Sequence, residues 1–394
     1  MKILLLCDEY PPSVHGGIGS ITKILAKEYV RMGHQVIICG FYPYFRQGAD
    51  FEIQDGVNVY RAFYGSKIRL KVSKHWFLGK IINIKRPFKK YTQFLKQIID
   101  KNQIDIIEIP DYNEAFVFSG SKFLSFPDFG IPRVVKLHGS STCLSHINKS
   151  YSYNLKIFEK EKALLSSANH IVGVSEYIRK LSFELFQLEN NNSVIYNGVT
   201  INREQQYEPD NNINVIYAGK ITEKKGVHSL LKAWNSVISE YPLAKLFLYG
   251  TSTPKTLKSS LALIEEKYKY SVKFMGFTNN EYLSSVYRKA TCAIFPSYAE
   301  SFGMTPLESM KEACPTIFTR RTSGSEIITD FYDGILIDPD NIGEISDAIL
   351  FMLKNRKEAT QMGIKGAEKI RKYFTSGRIA EQQINLFNKL ISNV

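Results

Sequence analysis

Two carboxylates that could bind or react with a ligand, Glu300 and Glu308, lie eight residues apart in this sequence. Residues 295–310, FPSYAESFGMTPLESM, predict a strand end, a turn and a helix, because the apolar run Cys292–Phe295 stops at a proline and Pro306 suits a first helical turn. Even along a continuous helix the two carboxylates would be ~12 Å apart. Because glycosidase carboxyls stand roughly 5 to 9.5 Å apart, this spacing suits two carboxylates that grip different parts of one long ligand.

Polar side chains also follow two other predicted strands. His138 comes directly after the strand Arg133–Leu137, and Asp111 and Tyr112 come after the strand Ile104–Ile109. Groups at the carboxyl ends of parallel strands share one edge of a sheet, which is a usual ligand site. These three residues are therefore candidate site residues, with ordinary loop positions as the alternative for Asp111 and Tyr112.

Backbone N–H groups offer a second kind of site, one for anions. Those near Ser301, Phe302 and Gly303 lie between the two carboxylates, where a helix is predicted to begin. The predicted strand Lys2–Cys7 is followed by the loop DEYPPSVHGGIGS and then a helix, which is a phosphate-cradling order. The glycines of that loop could instead only turn the chain.

A dinucleotide-binding enzyme is the obvious alternative for the N-terminal loop. Gly17-Ile18-Gly19 lacks the third glycine of that fingerprint, because position 22 is Thr22. The next predicted strand, His34–Cys39, ends without the carboxylate that binds a ribose. The sequence therefore disfavours a nicotinamide cofactor.

Two lysines precede a helix in the second half of the chain. The predicted strand Asn214–Ala218 leads into residues 219–226, which contain Lys220 and Lys225, and then into the helix. Cations do not complement the positive end of a helix dipole. A bound diphosphate would explain their position.

The segment E-S-F-G-M-T-P-L-E-S-M resembles the E-x7-E signature of retaining nucleotide-sugar glycosyltransferases of family 4, which have the GT-B fold. The resemblance implies that Glu300 contacts the transferred sugar and Glu308 the ribose of the donor. It also implies that His138 contacts the donor sugar beside its reacting carbon. Ser301, Phe302 and Gly303 then belong to the donor site.

Two further elements resemble the same family. Lys220 and Lys225 match its G-R...K-G element, whose cations neutralise the leaving diphosphate, although Lys220 stands where arginine is usual. The glycine-rich loop approaches the diphosphate and the acceptor in that family, which implies roles for Gly17 in donor binding and Gly16 in acceptor binding. Asp111 and Tyr112 are the other candidate acceptor residues.

Length and alternation predict an α/β chain of two doubly wound, Rossmann-like parallel-sheet domains that face each other across a cleft. We expect an acceptor domain over 1–199, a linker over 200–212 and a nucleotide-sugar domain over 213–375. The helix in 376–394 is expected to pack back onto the first domain. The five cysteines are widely spaced and the first strand is too short for a signal peptide, so we expect free thiols and a cytoplasmic location.

The formal charge of +13 favours anionic partners. The segment Lys67–Lys96 holds ten Lys or Arg residues and no acidic residue, interleaved with aromatic side chains. This composition is typical of a surface that binds anionic lipids. A solvated basic helix face is the alternative, and nucleic acid is disfavoured because no nucleic-acid motif accompanies the charge.

These features predict a retaining hexosyltransferase that uses a nucleotide diphosphate sugar, with UDP or GDP expected, and a saccharide or lipid-linked acceptor in bacterial surface polysaccharide or glycan assembly. No Asp-x-Asp or histidine cluster indicates a metal site, so we expect neither metal nor cofactor. The enzyme is expected at the inner face of the cell membrane as a peripheral protein. An epimerase or phosphorylase of the same fold, or a catalytically silent nucleotide-binding protein, remains as an alternative.

Overall fold

The computed structural model describes residues 1–12, 16–42, 48–63, 76–112, 126–147, 154–201 and 207–393, without the side chains of residues 63 and 76–88. Residues 67–75 of the basic segment thus lie outside the described residues. The chain divides into two compact units, Met1–Asn197 with Ser376–Val394, and Gly198–Thr375. Each unit is built on a mainly parallel sheet connected through helices, which confirms the predicted α/β class.

The first unit contains an eight-stranded sheet. Its strands are β1 (Lys2–Leu6), β2 (Gln35–Tyr42), β3 (Phe51–Gln54), β4 (Val57–Phe63), β5 (Ile106–Pro110), β6 (Arg133–Leu137), β7 (His170–Gly173) and β8 (Asn192–Val194). Their order across the sheet is β3-β4-β2-β1-β5-β6-β7-β8, and only β3 is antiparallel to its neighbour. The inner strands are buried along almost their whole length, as expected for strands covered on both faces.

The second unit contains a six-stranded, fully parallel sheet. Its strands are β9 (Asn214–Ala218), β10 (Lys245–Tyr249), β11 (Val272–Gly276), β12 (Cys292–Phe295), β13 (Thr316–Thr319) and β14 (Ile335–Ile337). Their order is β11-β10-β9-β12-β13-β14. The strands predicted from the sequence at 2–7, 34–39, 104–109, 133–137, 214–218 and 292–295 are all present in the two sheets, within a few residues of the predicted ends.

The described helices connect these strands. They are α1 (Gly17–Arg31), α2 (Trp76–Asn102), α3 (Ser141–Ile147), α4 (Leu155–Ser166), α5 (Glu176–Phe186), α6 (Val227–Glu240), α7 (Pro254–Leu261), α8 (Asn280–Lys289), α9 (Met304–Lys311), α10 (Gly324–Ile327), α11 (Ile342–Lys354), α12 (Arg356–Tyr373) and α13 (Ser376–Ile391). A 3₁₀ turn, Glu223–Lys225, precedes α6. Within the described ranges, no helix has both the length and the apolar character that a membrane span requires.

The C-terminal helix α13 packs against α1 within the first unit. The rings of Tyr29 and Phe387 meet edge to face at 6.1 Å between centroids. The Ser376 hydroxyl, at the start of α13, donates a 2.7 Å hydrogen bond to Glu28. The last helix of the chain therefore belongs to the same unit as the first strand.

The hairpin β3–β4 is absent from the sequence-based prediction. Asp55 and Gly56 form its two-residue turn with φ of 52° and 80°. Asp-Gly is a preferred pair for such turns, because both positions need positive φ. The hairpin adds the only antiparallel pairing in the described part of the first sheet.

The strand order of each sheet reverses beside its first strand. β1 lies between β2 and β5, and β9 lies between β10 and β12. Loops at such a switch point diverge to opposite sides and leave a crevice at the carboxyl ends of the strands. In the second sheet these loops are the segment after β9, which carries Lys220 and Lys225, and the segment after β12, which carries Glu300.

Gly226 allows these two loops of the second sheet to touch. Its φ is +71°, and a Cβ atom there would lie 1.7 Å from the carbonyl oxygen of Pro296. Only glycine satisfies both conditions, because other residues disfavour this backbone region and the space holds no methyl group. The contact fixes the 3₁₀ turn of Lys225 beside the β12 loop.

We expect Gly226→Ala to destabilise the protein by about 3 kcal/mol or more, as a buried steric clash does. Gly276→Ala is the matched control, because Gly276 has a φ of +75° and a Cβ atom there would meet nothing within 4 Å. The control carries only the backbone strain, about 1 to 2 kcal/mol. Denaturant midpoints measure both changes, and equal losses would show that the Pro296 contact does not constrain the fold.

Candidate functional site

Lys225 and Glu300 form an ion pair at the switch point of the second sheet. The Nζ atom of Lys225 lies 2.7 Å from Oε1 of Glu300. The two side chains are 29% and 14% exposed, so both keep some access to solvent. The structure thus joins two predicted site residues from loops 75 residues apart in the sequence.

Tyr298 holds the loops around this ion pair, and sequence reasoning did not identify it. Its backbone N–H donates to the carbonyl of Lys224 at 3.0 Å. Its hydroxyl donates to the carbonyl of Pro339 at 3.1 Å and accepts from Ser229 at 2.9 Å. The Arg321 guanidinium lies 5.5 Å from the centre of its ring. A tyrosine two residues after a proline carries no sequence signal for these contacts.

Two more lysines belong to the same loop as Lys225. Lys220 is exposed directly after β9, where its carbonyl accepts a 2.9 Å hydrogen bond from Tyr217. Burial and the neighbouring charge of Lys225 lower the pKa of Lys224, while Glu300 opposes this shift. The loop therefore concentrates positive charge near one carboxylate.

The segment between Glu300 and α9 is tightly held. Phe302 is buried, and its carbonyl accepts a 2.6 Å hydrogen bond from Ser323. Gly303 has a φ of +103°, and a Cβ atom there would lie 2.7 Å from the Phe318 ring. Ser301 is half-buried beside them. This rigid turn leads into α9 at Met304, as predicted from the sequence.

Glu308 lies within α9 and is half-buried. Burial raises the pKa of its carboxyl to about 7, and the charge of Lys311 opposes that shift. Asn280, at the start of α8, donates a long hydrogen bond of 3.4 Å to its Oε1. The carboxylate therefore has weak compensation for its burial.

Glycines at the ends of β9, β10 and β11 bring three backbones together beside these residues. Gly250 donates its N–H to the carbonyl of Gly276 at 2.8 Å. A Cβ atom at Gly250 would lie 1.8 Å from the carbonyl oxygen of Gly219. Phe277, the next residue after β11, is 79% exposed. This edge of the second sheet thus presents backbone and one uncovered aromatic ring.

In the first unit, Asp111 organises the loop that carries His138. Its carboxylate accepts N–H groups from His138 at 2.7 Å and from Gly139 at 3.1 Å. Burial raises the pKa of Asp111 to about 7, although these donors oppose the shift. Tyr112, the next residue, is 40% exposed. Asp111 is only 4% exposed, and the hydrogen bonds given above connect it to the loop of His138.

His138 is held in its neutral form. Burial lowers the pKa of its imidazole to about 3, and the charge of Lys136 adds to that effect. A neutral imidazole carries one donor and one acceptor nitrogen. His138 can therefore exchange hydrogen bonds with hydroxyl groups without adding charge.

Glu9 caps the helix start at which the sequence predicts a phosphate cradle. Its Oε2 accepts the N–H of Gly16 at 3.0 Å and that of Gly19 at 3.4 Å. A Cβ atom at Gly17 would meet nothing within 4 Å. Sequence reasoning missed Glu9, although an acidic residue near a predicted helix start is the expected signal for such a cap.

Within each unit the predicted residues therefore form a local group. Lys225 and Glu300 are in contact in the second unit, and Asp111 and His138 are in contact in the first. Among the residues that the structure describes, no group of three or more His, Cys, Asp or Glu side chains is placed to hold a metal ion.

Two family models match this chain, and they meet near residue 200, close to the boundary between the two compact units. The family model "Glycosyltransferase Family 4" matches residues 15–203, and the model "Glycosyl transferases group 1" matches residues 199–369. An uncharacterized glycosyltransferase of Methanocaldococcus jannaschii is 24% identical over an alignment 404 positions long, which covers 98% of each chain.

Solved structures share the fold over the full chain. Sucrose-phosphate synthase from Thermosynechococcus elongatus has a TM-score of 0.82 at 18% identity and covers 100% of both chains. HepE from Anabaena, solved in complex with UDP and glucose, has a TM-score of 0.72 at 19% identity over 99% of this chain and 100% of its own. The chain therefore belongs to the GT-B glycosyltransferases of family 4 type, which act on nucleotide sugars.

Proposed function

We propose that this glycosyltransferase moves a hexose from a UDP- or GDP-linked donor to a saccharide or lipid-linked acceptor, with retention at the anomeric carbon and without a metal ion. The ion pair of Lys225 and Glu300 is the observation that carries the proposal. It supplies, at one switch point, a cation suited to a diphosphate and a carboxylate suited to sugar hydroxyls.

Negative charge develops on the diphosphate as the bond to the sugar breaks. Lys225, Lys220 and Lys224 lie in one loop and can stabilise that charge where it forms. Such fixed cations do the work that a metal ion does in other phosphate chemistry. Lys220 offers a point charge rather than the two-pronged donor set of arginine.

Retention is proposed to follow from attack on the same face that the diphosphate leaves. Glu300 is engaged by Lys225, and Glu308 is withdrawn into α9, so neither carboxylate is well placed as a covalent nucleophile. In this scheme the acceptor oxygen bonds to the anomeric carbon as the diphosphate departs, and the acceptor proton passes to a diphosphate oxygen. Glu300 and the neutral His138 would bind sugar hydroxyls.

Glu308 is proposed to bind the ribose of the donor. Among the described residues its carboxylate has one hydrogen bond, a weak one, and two ribose hydroxyls would complete its partners. The sheet edge formed by Gly219, Gly250 and Gly276, together with Phe277, is a suitable platform for the base of the nucleotide. A planar ring packs well on exposed backbone and aromatic surface. The complex of HepE with UDP and glucose supports a uridine nucleotide as the first donor to test.

We expect one of UDP, GDP and ADP, or its sugar conjugate, to raise the melting temperature, and EDTA to leave that shift unchanged. A ligand at a hundred times its Kd stabilises the folded state by about 2.7 kcal/mol. Lys225→Ala and Glu308→Ala should abolish the shift, because they remove the diphosphate and ribose partners. Lys232→Ala is the control, since Lys232 is an exposed lysine on α6.

Turnover decides between the proposed reaction and its alternatives. Transfer to an acceptor, with the anomeric configuration read by NMR, would support it. Nucleotide binding without turnover would favour a silent binding protein, and a free epimer or a need for inorganic phosphate would favour the other enzymes of this fold.

We expect affinity for a sugar nucleotide to increase about tenfold from about pH 6 to about pH 8, because ribose hydroxyls need the ionised form of Glu308. The ligand lacks a terminal phosphate, so the change reports on the protein. By linkage, the contribution of Glu308 to the stability of the free protein decreases as pH rises from 4.5 to about 7, since the folded state holds that proton more tightly than the unfolded chain. Titration calorimetry measures the affinity for the sugar nucleotide at each pH. The affinity should not change with pH in Glu308→Gln, and it should change as in the unaltered protein in Glu358→Gln, which replaces an exposed residue. A flat profile in the unaltered protein would contradict the role of Glu308.

The acceptor is proposed to be presented at an anionic membrane surface. In the described part of the basic segment, Lys89 and Lys90 are exposed on α2 while Tyr91 and Leu95 are buried. In its described part, this helix therefore presents lysines on its outer side and buries apolar side chains on its inner side. Its charge supports a contact with anionic lipid.

We expect the protein to sediment with vesicles that contain phosphatidylglycerol and not with neutral vesicles. Changing Lys89 and Lys90 together to alanine should weaken binding about 30-fold, at about 1 kcal/mol for each lysine. The control changes the exposed Lys255 and Lys258 of the second unit. Failure to bind anionic vesicles at low salt would remove the membrane from the proposal.

A further inference from the structure

Lys225 is already paired with a carboxylate in the free protein. Its Nζ lies 2.7 Å from Oε1 of Glu300, and the two side chains are 29% and 14% exposed. Among the residues that the structure describes, Glu300 is the one hydrogen-bond and ion-pair partner of this Nζ. A diphosphate that binds Lys225 therefore has to share the lysine with an anion that is there first.

The other two lysines of this loop lack such a counter-ion. Lys220 and Lys224 are exposed, and neither forms an ion pair within the described part of the chain. Exposed ammonium groups are solvated by water, whereas a half-buried one requires a partner. Glu300 thus lies on the least exposed of the three cations. It places a negative charge within the group of lysines proposed to hold the diphosphate.

The ion pair is not needed to hold its two loops together. Gly226 packs against the carbonyl of Pro296, and Tyr298 donates its N–H to the carbonyl of Lys224 at 3.0 Å. These backbone contacts fix the two loops whatever the charge on the carboxylate. A partly buried ion pair also adds little net stability, because desolvation offsets the Coulomb attraction. The pair therefore fits a role in binding better than a role in folding.

The backbone that carries Glu300 is held in place. Phe302, two residues later, is buried, and its carbonyl accepts a 2.6 Å hydrogen bond from Ser323. The carboxylate can turn about its side-chain bonds, but its backbone is held close to the turn of Lys225. A diphosphate bound to the same ammonium would lie beside this carboxylate, and like charges repel at such distances.

A sugar on the diphosphate changes this balance. In the proposed function Glu300 binds hydroxyl groups of the donor sugar, and these donors replace what the carboxylate loses when Lys225 turns to the phosphates. Once the sugar has been transferred, Glu300 has only Lys225 to return to. The donor thus satisfies both partners of the pair, while the nucleoside diphosphate product competes with one of them for the other.

We propose that Glu300 is an internal competitor of the diphosphate, which weakens the hold of Lys225 on the sugar-free product and so speeds its release. The inference rests on the proposed function, because it assigns the diphosphate to Lys225. It adds a discrimination that a sugar contact alone does not give, since the same carboxylate favours the donor and disfavours the product.

The test is the affinity of the full-length protein for UDP, GDP and ADP, for their sugar conjugates and for inorganic pyrophosphate, measured by titration calorimetry. Glu300→Gln keeps the size of the side chain and removes its charge, so affinity for the sugar-free diphosphates should increase about tenfold. Affinity for the sugar conjugate should increase less or decrease, because a neutral amide is a weaker acceptor for hydroxyls. Glu300→Asp keeps the charge and should keep the original weak binding of the diphosphates.

Glu312→Gln is the matched control. Glu312 pairs with Arg288 at 2.7 Å and has the same 14% exposure as Glu300, so the change breaks a similar ion pair outside the proposed site. It should leave the affinity for the diphosphates unchanged. Lys225→Ala combined with Glu300→Gln should lose the gain, because the competition acts through the lysine.

An unchanged or weaker affinity of Glu300→Gln for both the nucleoside diphosphates and pyrophosphate would overturn the inference and leave the pair a structural contact. Glu300→Ala should show the same gain, so the result does not depend on one variant that could misfold. Tighter pyrophosphate binding with no nucleotide binding would support the competition and reject the nucleotide part of the proposed function. No binding of any ligand by any variant would reject both.

If transfer is observed, the rate of product release gives a second reading. Stopped-flow measurement should find that the nucleoside diphosphate leaves Glu300→Gln about tenfold more slowly than the unaltered protein, since the added affinity is expected in the dissociation rate. Glu300→Asp and Glu312→Gln should release it at the original rate. An unchanged release rate in Glu300→Gln would contradict the role in product release.

Discussion

The candidate donor site depends on a backbone contact that leaves no room for a side chain. Gly226 brings the turn of Lys225 against the carbonyl of Pro296, and Tyr298 ties the same two loops by its backbone N–H. The ion pair with Glu300 follows from this contact, since each partner projects from a loop that could not otherwise approach so closely. Chemistry that needs a cation and a carboxylate at one point thus rests on a glycine that takes no part in it.

Asp111 and Glu308 both lose hydration, and they differ in the hydrogen bonds that compensate for this loss. Asp111 loses water but gains short hydrogen bonds from the backbone of His138 and Gly139, so its charge serves to hold a loop. Glu308 loses water and, among the described residues, gains a single long bond from Asn280. A carboxylate with so few donors would be stabilised by a ligand that brings hydroxyl groups. This difference supports the proposed roles of Glu308 in binding and of Asp111 in holding the loop of His138.

Sequence patterns predicted the strands and the loops that follow them, because buried parallel strands are apolar runs and loops begin where those runs stop. They missed the hairpin at Asp55 and Gly56, although Phe51–Gln54 alternates apolar and polar residues and leads directly into an Asp-Gly turn. They could not give the contact of Lys225 with Glu300, which depends on strand order rather than on spacing. Tyr298 was missed for a similar reason, since its partners come from the folded backbone, whereas Glu9 carried the signal of an acidic residue near a helix start and was overlooked.

The lysines around Lys225 are costly to the fold, and the proposed diphosphate ligand would offset that cost. Lys224 and Lys225 stand before the positive end of α6, where the helix dipole favours anions, and Lys220 lies in the same loop. Glu300 compensates one of these charges. The free energy of the folded state therefore already includes the repulsion among these lysines before a donor binds. In the proposed reaction an incoming diphosphate would relieve that repulsion, and the relief would grow as negative charge builds on the leaving group, as a site that favours the transition state over the ground state requires.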